Sequence, residues 1–506
     1  MKKKYVRWTL WTIASPFILF IILCILIYLP PIQNFLVDKA AVYASEATGM
    51  NISVGRISLS FPLNLVVTNV DAASPHNDTL LSVRRLQVNV QLLPLLKKQV
   101  EVDGISLQGA TVNSNDLIHG MKLNGTLGEL FISSHGVALD PETAIVNKVL
   151  LKDTDLSLCL NDTAAADTAA SDTTYWKIIL QDIDLQNVSF ALDMPLDSLS
   201  LAASLDNAIL RDGLIDLHKS AYSLQTFRIE NGRVRYDNGK PLAADSLSSG
   251  LDPSHIALTD IGVKLDSLYY GGRNMKAIIS QFVLKERSGV EIVSATGRMV
   301  SNDKVLRVPS LKLETRDSYL ELNAAMDWNA LDFKDEGLVS ARLMADIGKP
   351  DVVRFMGSMD EKFIRQYPSE PLRIRTGIDG DLNKLKLTTL TAELPGALGL
   401  FARGELTHLT DSLLRGGDIT LEAETKDLKF VSTLAEGIEI PYGTRLEGKF
   451  TMAGTKMGTD LLLMQPEAQA VVAADTIPIT VYNDSISVAD DFKMERAARL
   501  FAKYDL

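Results

Sequence analysis

Residues 105–112 read ISLQGATV, and this short pattern decides the fold class of the chain. Ile105 and Leu107 are separated by one polar residue. Gly109 comes next at the same spacing, and Val112 follows three positions later. Side chains of a β-strand alternate between the two faces of a sheet, so the first half of the pattern is typical of a half-buried strand. Glycine tolerates unusual backbone conformations, so we expect the strand to bend or turn at Gly109.

The same pattern occurs twice more, with asparagine in place of the glycine. Residues 183–190 read IDLQNVSF, and residues 227–234 read FRIENGRV. In both copies two alternating apolar residues precede the asparagine, and another apolar residue follows three positions after it. The copies are irregularly spaced, which is not typical of a propeller or of a solenoid with a fixed period. We therefore predict a degenerate repeat of amphipathic strands.

Alternation of apolar and polar residues continues over most of the chain. A second pattern, LRVPSLKL in residues 306–313, is repeated as LKLTTLTA in residues 385–392. Turn-forming pairs such as Asn231-Gly232, Asn238-Gly239 and Gly271-Gly272 interrupt the alternation and predict hairpin turns. These features predict a mainly β protein.

The first uninterrupted apolar run covers residues 8–29, which are 22 residues without a charged side chain. A helix rising about 1.5 Å per residue would cover the roughly 30 Å hydrocarbon core of a bilayer over this length. The basic residues of the tail, residues 1–7, predict that the tail stays in the cytoplasm and that the chain after residue 30 lies across the membrane. The alternative is a cleaved signal peptide, whose apolar region is usually only about 7 to 15 residues long. We therefore expect a retained single-pass anchor.

The remaining segments are assigned from composition and period. Residues 32–48 predict a short amphipathic helix with Gly49 as its C-cap, lying either at the membrane surface or in a stalk. Residues 161–174 are of low complexity and form either a loop between strands or a domain boundary near residue 175. The other predicted segments are an N-terminal β block over residues 50–160, continued β-repeats over residues 175–490 and a helical tail over residues 491–506.

Charge and residue content exclude several classes of function. The net charge is −12, and no cluster of Lys and Arg occurs after residue 7, which excludes a nucleic-acid partner. The two cysteines, Cys24 and Cys159, form no CxxC motif, and the six histidines occur singly, so we expect no metal and no cofactor. No phosphate-binding or nucleophile motif is present, and we expect no enzymatic activity.

One acidic segment begins like a calcium-binding loop. Asp379, Asp381 and Asn383 occupy the first, third and fifth positions of such a loop. Lys384 then replaces the glycine of the sixth position, and Leu390 replaces the glutamate of the twelfth. The segment predicts a hairpin turn.

Over residues 1–113 the chain resembles the AsmA/TamB family of Gram-negative envelope proteins, and most closely the TamB-like proteins of Bacteroidota. The order of segments carries the resemblance: the basic start and anchor, the short helix that ends at Gly49, and a succession of strand motifs. These motifs are ISVGRI at 52–57, LNLVVTNV at 63–70, DTLL at 78–81, LQVNV at 86–90 and ISLQGA at 105–110. After residue 113 the resemblance is one of degenerate amphipathic strands. Proteins of the TamB kind continue into a longer rod and a C-terminal domain, so we expect this chain to be a fragment or a short relative.

The resemblance implies a fold and a function. The implied fold is an elongated, twisted open β-groove of the bridge-like lipid transfer type, preceded by one transmembrane helix. The implied function is that of an inner-membrane-anchored periplasmic bridge that conducts phospholipid between the inner and outer membranes. The alternative is a scaffold that assists outer-membrane protein assembly by partnering a β-barrel, for which exposed strand edges would serve.

The repeated patterns supply the candidate residues that line this groove. They are Ile105, Leu107, Val112, Ile183, Leu185, Phe190, Ile229 and Val234. Alternation alone does not decide which face of each strand points into the groove.

Overall fold

A computed structural model describes the greater part of the chain. The described residues are 39, 41–42, 45, 49–60, 64–74, 79–90, 102–114, 120–138, 142–161, 175–239, 250–334, 337–356, 361–433, 442–454, 456–464, 475–477, 479–482, 485–488 and 498–505. The predicted tail and anchor, residues 1–29, lie outside them. Within the described residues, no helix has both the length and the apolar character needed to cross a membrane.

The protein is mainly β, as predicted, and it consists of two compact units, residues 1–240 and residues 241–506. The strands of the first unit are β1 (Asn51–Ser60), β2 (Asn64–Ala73), β3 (Thr79–Val90), β4 (Val102–Asn113), β5 (Met121–Ala138), β6 (Thr143–Leu160), β7 (Lys177–Met194), β8 (Leu199–Asp216), β9 (Ala221–Leu224) and β10 (Thr226–Asp237).

Strands of the first unit pair with their neighbours in sequence, and almost every pair is antiparallel. Strands β9 and β10 both pair with β8. The exception is β6 with β7, which are parallel from Thr143 opposite Lys177 to Cys159 opposite Asp193. The low-complexity segment therefore connects two strands of one unit, which agrees with the predicted loop and not with the alternative of a domain boundary near residue 175.

The second unit begins with an antiparallel succession of strands. They are β11 (His255–Gly271), β12 (Asn274–Glu286), β13 (Glu291–Ser301), β14 (Val305–Thr315), β15 (Tyr319–Asp327), β16 (Leu338–Ile347), β17 (Leu372–Asp381), β18 (Lys384–Leu394), β19 (Leu398–Thr407), β20 (Gly416–Thr425), β21 (Arg445–Ala453) and β22 (Lys456–Met464). The remaining strands are β23 (Asp475–Ile477), β24 (Ile479–Tyr482), β25 (Ser485–Val488) and β26 (Ala498–Asp505).

The end of the chain corrects one prediction. Strand β26 pairs antiparallel with β22, so the predicted helical tail is wrong for Ala498–Asp505. Leu500 lies opposite Leu461, and Leu500, Ala502 and Tyr504 recur at every second position, which is the period of a strand. Residues 491–497 lie outside the described residues.

Three short helices belong to the second unit. They are α1 (Trp328–Leu331), α2 (Lys349–Phe355) and α3 (Glu361–Gln366), and 3-10 turns occur at Pro195–Asp197 and Lys429–Thr433. Phe363 of α3 stacks with Tyr367 and Phe430 at centroid distances of 5.5 and 5.8 Å. This aromatic group is the centre of a buried cluster that also contains Leu394, Ala397 and Leu428.

The segment before β1 supports the predicted helix cap. Residues 39, 41, 42 and 45 are helical, and the rest of the predicted helix lies outside the described residues. Gly49 has a φ of +70°, and its N–H donates to the carbonyl of Ser45 at 2.9 Å. This is the left-handed C-terminal position that glycine favours.

The structure contains two of the predicted turns and contradicts a third. Gly271-Gly272 connects β11 to β12, and the acidic segment that begins like a calcium loop forms the turn between β17 and β18, as predicted. The Asp381 carboxylate accepts the N–H groups of Asn383 and Lys384 at 2.8 Å in that turn. The prediction of a hairpin turn at Asn231-Gly232 is wrong, because both residues lie inside β10.

Candidate functional site: an apolar sheet face

Nine strands of the first unit each contribute one residue to a row that crosses the sheet. The residues on both sides of the row pair in register with the neighbouring strands, whereas the residues of the row itself form no ladder pairs. Gln108 faces Glu129 and Ala110 faces Leu127, for example, while the residues between them form no ladder pair. We call this the left-handed row. Its members are Gly55, Asn69, Arg84, Gly109, Gly128, Asp153, Asn187, Asp206 and Asn231.

Five members of the left-handed row have a positive φ between 49° and 61°. They are Asn69, Gly109, Asp153, Asn187 and Asn231. Their strands, β2, β4, β6, β7 and β10, run in the same direction because β6 and β7 are parallel. Among L-residues, Asn and Asp tolerate this backbone conformation best, and glycine adopts it freely. The predicted departure from a regular strand at Gly109 and at the two asparagines is confirmed.

The left-handed row changes which side chains share a face. In a regular strand, residues three apart point to opposite faces. Here two consecutive residues are exposed in several strands, as at Lys152 with Asp153 and at Gln186 with Asn187. One extra residue on the exposed side restores the apolar residues to a common face, as it does at a β-bulge. This explains the three-residue step in the sequence pattern.

Four apolar rows run beside the left-handed row. The Ile105 row is Leu59, Leu65, Val88, Ile105, Ile132, Val149, Ile183, Leu210 and Phe227. The Leu107 row is Ile57, Val67, Leu86, Leu107, Leu130, Leu151, Leu185, Ala208 and Ile229. The Ala110 row is Val54, Val70, Val83, Ala110, Leu127, Thr154, Val188 and Leu205. The Val112 row is Ile52, Ala72, Leu81, Val112, Gly125, Leu156, Phe190, Ala203 and Val234.

We call the surface formed by these four rows the apolar face. None of its residues carries a charge. Its one hydroxyl group, on Thr154, donates to the carbonyl of Lys152 at 3.2 Å, and the Thr154 side chain is buried. An uncharged surface therefore crosses all nine strands.

All eight residues predicted to line a groove lie on the apolar face. Ile105 and Ile183 belong to the Ile105 row, Leu107, Leu185 and Ile229 to the Leu107 row, and Val112, Phe190 and Val234 to the Val112 row. The structure thus places residues from three strands, β4, β7 and β10, on one surface. Their contact with a ligand stays a prediction.

Sequence reasoning missed the contributions of β5 and β6 to this face. Val149 and Leu151 precede Asp153, and Leu156 follows three positions later, so β6 contains a copy of the pattern with aspartate at its centre. In β5 the same spacing is reversed, as Leu127, Leu130 and Ile132, because neighbouring antiparallel strands run in opposite directions. Both signals are present in the sequence.

The opposite surface of the sheet carries the polar side chains near the left-handed row. One polar row is Arg56, Thr68, Arg85, Gln108, Glu129, Lys152, Gln186, Asn207 and Glu230. A second is Ser53, Asp71, Ser82, Thr111, Thr126, Asp155, Ser189, Ser204 and Arg233. Near the left-handed row, one surface of the sheet is therefore polar and the other is apolar.

The apolar face is incompletely covered. Among the described residues of the first unit, the buried apolar side chains are only Ala72, Leu80, Val83 and Ala208. Leu81 and Phe190 of the Val112 row are 37% and 39% exposed. The described part of this unit contains no helix that packs on the sheet as α3 does in the second unit. Most side chains of the apolar face are therefore half-buried and are not enclosed in a core formed by the described residues.

Polar contacts hold the left-handed row together. The Asn187 side-chain amide donates to the Asp153 carboxylate at 2.8 Å, and the Asn231 amide donates to Asp206. A Cβ built on Gly109 would lie 2.7 Å from the guanidinium of Arg84. Side-chain hydrogen bonds therefore join neighbouring strands at two crossings of the row.

The second unit has the same arrangement of apolar rows. The Leu311 row is Leu311, Leu322, Leu343, Thr376, Leu390, Ala402, Leu421 and Gly448. The Val308 row is Val308, Ala324, Ala341, Ile378, Leu387, Gly404, Ile419 and Phe450. The register shifts between Val308 and Leu311, where Ser310 has a φ of +63°, and again between Leu387 and Leu390. Both copies of the second sequence pattern therefore mark a β-bulge.

In this unit, buried clusters cover both ends of the strands. At one end, the cluster around Phe363 packs on Leu372, Leu394 and Leu398. At the other end, Ala330, Val339 and Leu382 form a second cluster. Ile378 of the Val308 row also packs against this second cluster.

One charged arrangement occurs in both units. The guanidinium of Arg211 donates to the carbonyls of Ile183 and Leu210 at 3.0 and 3.1 Å, and to the Asp184 carboxylate at 2.8 Å. The guanidinium of Arg375 makes the corresponding bonds to Ala345, Ile374 and Asp346 at 2.8, 2.9 and 2.7 Å. Each arginine links two neighbouring strands, so its role is in holding the sheet.

Comparison with known proteins does not assign the chain to a family. No protein-family model matches it, and no curated protein is significantly similar to it. Within the described residues, no group of three or more His, Cys, Asp or Glu side chains is placed to hold a metal ion. The apolar face is therefore the surface on which a functional proposal can be built.

Proposed function

We propose that the chain is an inner-membrane-anchored periplasmic bridge that conducts phospholipid between the inner and outer membranes along its apolar face. The observation that carries the proposal is the combination of four uncharged rows, three across nine strands and one across eight, with very few buried apolar residues among the described residues of the first unit. Exposed apolar surface costs about 25 cal/mol per Å², so a surface of this extent favours an apolar occupant.

Acyl chains suit this surface better than a folded partner does. The Ile105 and Leu107 rows offer no charged or hydrogen-bonding side chain that would fix the position of a ligand. A bound acyl chain can therefore slide from strand to strand. Lipid head groups would remain in water at the edges of the apolar face. Transfer in this mechanism needs no catalytic residue and no cofactor.

The left-handed row supports the groove-like shape that the proposal requires. Positive φ values redirect a strand, and here they occur at the same register position in five strands that run in the same direction. We infer that the sheet curves along this line with the apolar face on its concave side. The elongated, twisted open β-groove is in this sense part of the proposal, as is the transmembrane helix at residues 8–29 that would anchor it.

In-cell photocrosslinking of the full chain tests the proposal. A photoreactive amino acid replaces Leu185 on the apolar face or, as the matched control, its neighbour Gln186 on the polar surface. Cells are grown with radioactive phosphate, and the purified chain is examined for labelled lipid adducts. We expect an adduct at position 185 that is at least tenfold stronger than at position 186.

The same experiment addresses the alternative function. A scaffold for outer-membrane protein assembly would crosslink to a β-barrel protein and would give no labelled lipid at position 185. Equal lipid labelling at positions 185 and 186 would also contradict the proposal, because it would mean that lipid contacts both surfaces of the sheet without preference.

A further inference from the structure

Two loops of the second unit expose large apolar side chains at the same end of their strands. One loop contains α1 and connects β15 to β16, and the other, residues 408–415, connects β19 to β20. Phe333 is 74% exposed, and Leu413 and Leu414 are 79% and 63% exposed. Leu331 and Leu338 are 45% and 59% exposed. We call these five residues the loop-tip patch.

The bases of the two loops are packed together. Ala330 of the first loop is buried in the same cluster as Leu382 of the β17–β18 turn, and Leu409 of the second loop packs against this cluster. The N–H of Leu409 also donates to the carbonyl of Leu382 at 2.8 Å. The loops are therefore held at a fixed place while their tips remain exposed.

The backbone donors at both tips are satisfied within the loops. The Asp411 carboxylate accepts the N–H groups of Leu413 and Leu414 at 2.8 and 3.2 Å. In the other loop, the N–H of Phe333 donates to the carbonyl of Ala330 at 3.1 Å, and that of Lys334 donates to Asn329 at 2.7 Å. A segment that enters hydrocarbon must satisfy its backbone groups internally, and these four N–H groups meet that condition.

The conformation of Phe333 is a second, independent sign of function. Its φ is +55°, which is strained for a bulky L-residue. The strain is not offset by burial, since most of the ring is in contact with solvent. A strained backbone that holds an aromatic ring out into solvent is typical of a contact site.

We propose that the loop-tip patch inserts into the surface of a lipid bilayer. Stable protein interfaces bury about 800 Å² per partner and involve roughly 20–30 residues a side, far more than these five side chains offer, which disfavours a second copy of the chain. A bilayer needs no complementary shape. The cluster below the patch includes Val339 and Ile378, and Ile378 belongs to the Val308 row. This inference rests on the function proposed above, since the patch provides a route from the bilayer to the apolar rows of the second unit.

Fluorescence of labelled full-length chain tests this inference. Cys24 and Cys159 are replaced by serine, and a single cysteine is introduced as Phe333→Cys, Leu413→Cys or Tyr442→Cys and labelled with NBD. Tyr442 is the matched control, because it is 70% exposed but lies in the connection from β20 to β21, at the opposite ends of the strands. The chain, held in nanodiscs, is mixed with phosphatidylethanolamine and phosphatidylglycerol vesicles that contain spin-labelled acyl chains.

We expect a blue shift and at least twofold quenching by the vesicles at positions 333 and 413, and no change at position 442. Absence of quenching at positions 333 and 413 would overturn the inference, and so would equal quenching at all three positions. A change at position 413 that depends on protein concentration without vesicles would also overturn it, because the patch would then contact a second copy.

A double variant separates this inference from the proposed function. Phe333→Asp with Leu413→Asp should reduce vesicle binding at least fivefold and leave the lipid adduct at position 185 unchanged. Lipid crosslinking at position 185 without vesicle insertion would overturn only the present inference. Vesicle insertion without lipid crosslinking would instead overturn only the proposed conduit.

Discussion

Gly128 and Asp153 face each other across β5 and β6 so closely that a Cβ on Gly128 would lie 2.8 Å from the Cβ of Asp153. The carbonyl oxygens of Asp153 and Lys152 lie 2.9 and 3.0 Å from the same point, so the close contact is with backbone as well as with a side chain. The crossing of the left-handed row at Gly128 therefore leaves no room for a side chain on β5.

The Gly128→Ala variant should lose about 1–3 kcal/mol of unfolding free energy, because the backbone of β6 cannot move aside without disturbing the ladder. Denaturant unfolding followed by circular dichroism measures the loss. Gly399→Ala is the matched control, since Gly399 also lies in a strand but has no heavy atom within 4 Å of the added Cβ. Equal destabilisation by the two substitutions would contradict the interpretation.

The left-handed conformation of Asn187 predicts a strong dependence on residue type. A β-branched residue is strained at a φ of +51°, so Asn187→Val should cost about 1–3 kcal/mol, while Asn187→Gly should be much milder. Gln186→Val tests the same change one residue earlier, where φ is not positive. The unfolding midpoints of the three variants test this prediction. It fails if Gln186→Val lowers the stability as much as Asn187→Val does.

Asp351 is 1% exposed and holds α2 to the turn between β14 and β15. Its carboxylate accepts bonds from the hydroxyls of Thr315 and Ser318 and, at 3.0 Å, from the guanidinium of Arg354. Asp351→Ala removes the acceptor of the Ser318 hydroxyl and one of the two carboxylate partners of Arg354, which still pairs with Asp317 at 2.9 Å. Loss of a buried hydrogen-bond partner typically costs about 1–3 kcal/mol. Denaturant unfolding and limited proteolysis near α2 measure the effect.

The control for Asp351 is an exposed ion pair of the neighbouring helix. Glu361 pairs with Arg365 across one turn of α3, and their side chains are 80% and 75% exposed. Glu361→Ala should cost less than about 1 kcal/mol, because solvent screens an exposed pair. A loss as large as that of Asp351→Ala would mean that helix content, and not the buried network, determines the stability of this region.

The hydrogen bonds of the Asp252 carboxylate predict that the stability of the protein depends on pH. The hydrogen bond from His255, at 2.8 Å, and that from the Ser254 N–H, at 2.9 Å, lower the pKa of the Asp252 carboxyl below its ordinary value of 3.8. A carboxylate with a lowered folded-state pKa stabilises the protein fully above the unfolded pKa and loses this contribution as the pH falls through the folded pKa.

The destabilisation caused by Asp252→Asn should therefore be largest above about pH 4 and should shrink at lower pH. Unfolding midpoints of wild type and variant at about pH 5 and about pH 2.5 test this. In a His255→Gln background the pH dependence of the Asp252→Asn effect should decrease, because the principal cause of the lowered pKa is gone. An effect of the same size at both pH values would contradict the assignment.

Much of the apolar face could be predicted from local sequence. The alternation at Ile105 and Leu107 reports a strand, and the three-residue step to Val112 reports an irregularity, because both are properties of a few neighbouring residues. The same reasoning misassigned Asn231-Gly232 as a hairpin turn. An asparagine before a glycine favours positive φ, and a left-handed residue inside a strand has the same local signal as one in a turn.

The sequence by itself determined that the chain is mainly β and that the strands have one apolar side, because period and residue type are local. Only the tertiary structure decided that Gly109, Asp153 and Asn187 belong to one row, that β6 and β7 are parallel, and that β26 replaces the predicted helix. These features depend on register and on pairing between residues distant in the chain. A shift of one residue in any ladder would move apolar side chains to the polar surface, so pairing, not alternation, makes the apolar face continuous.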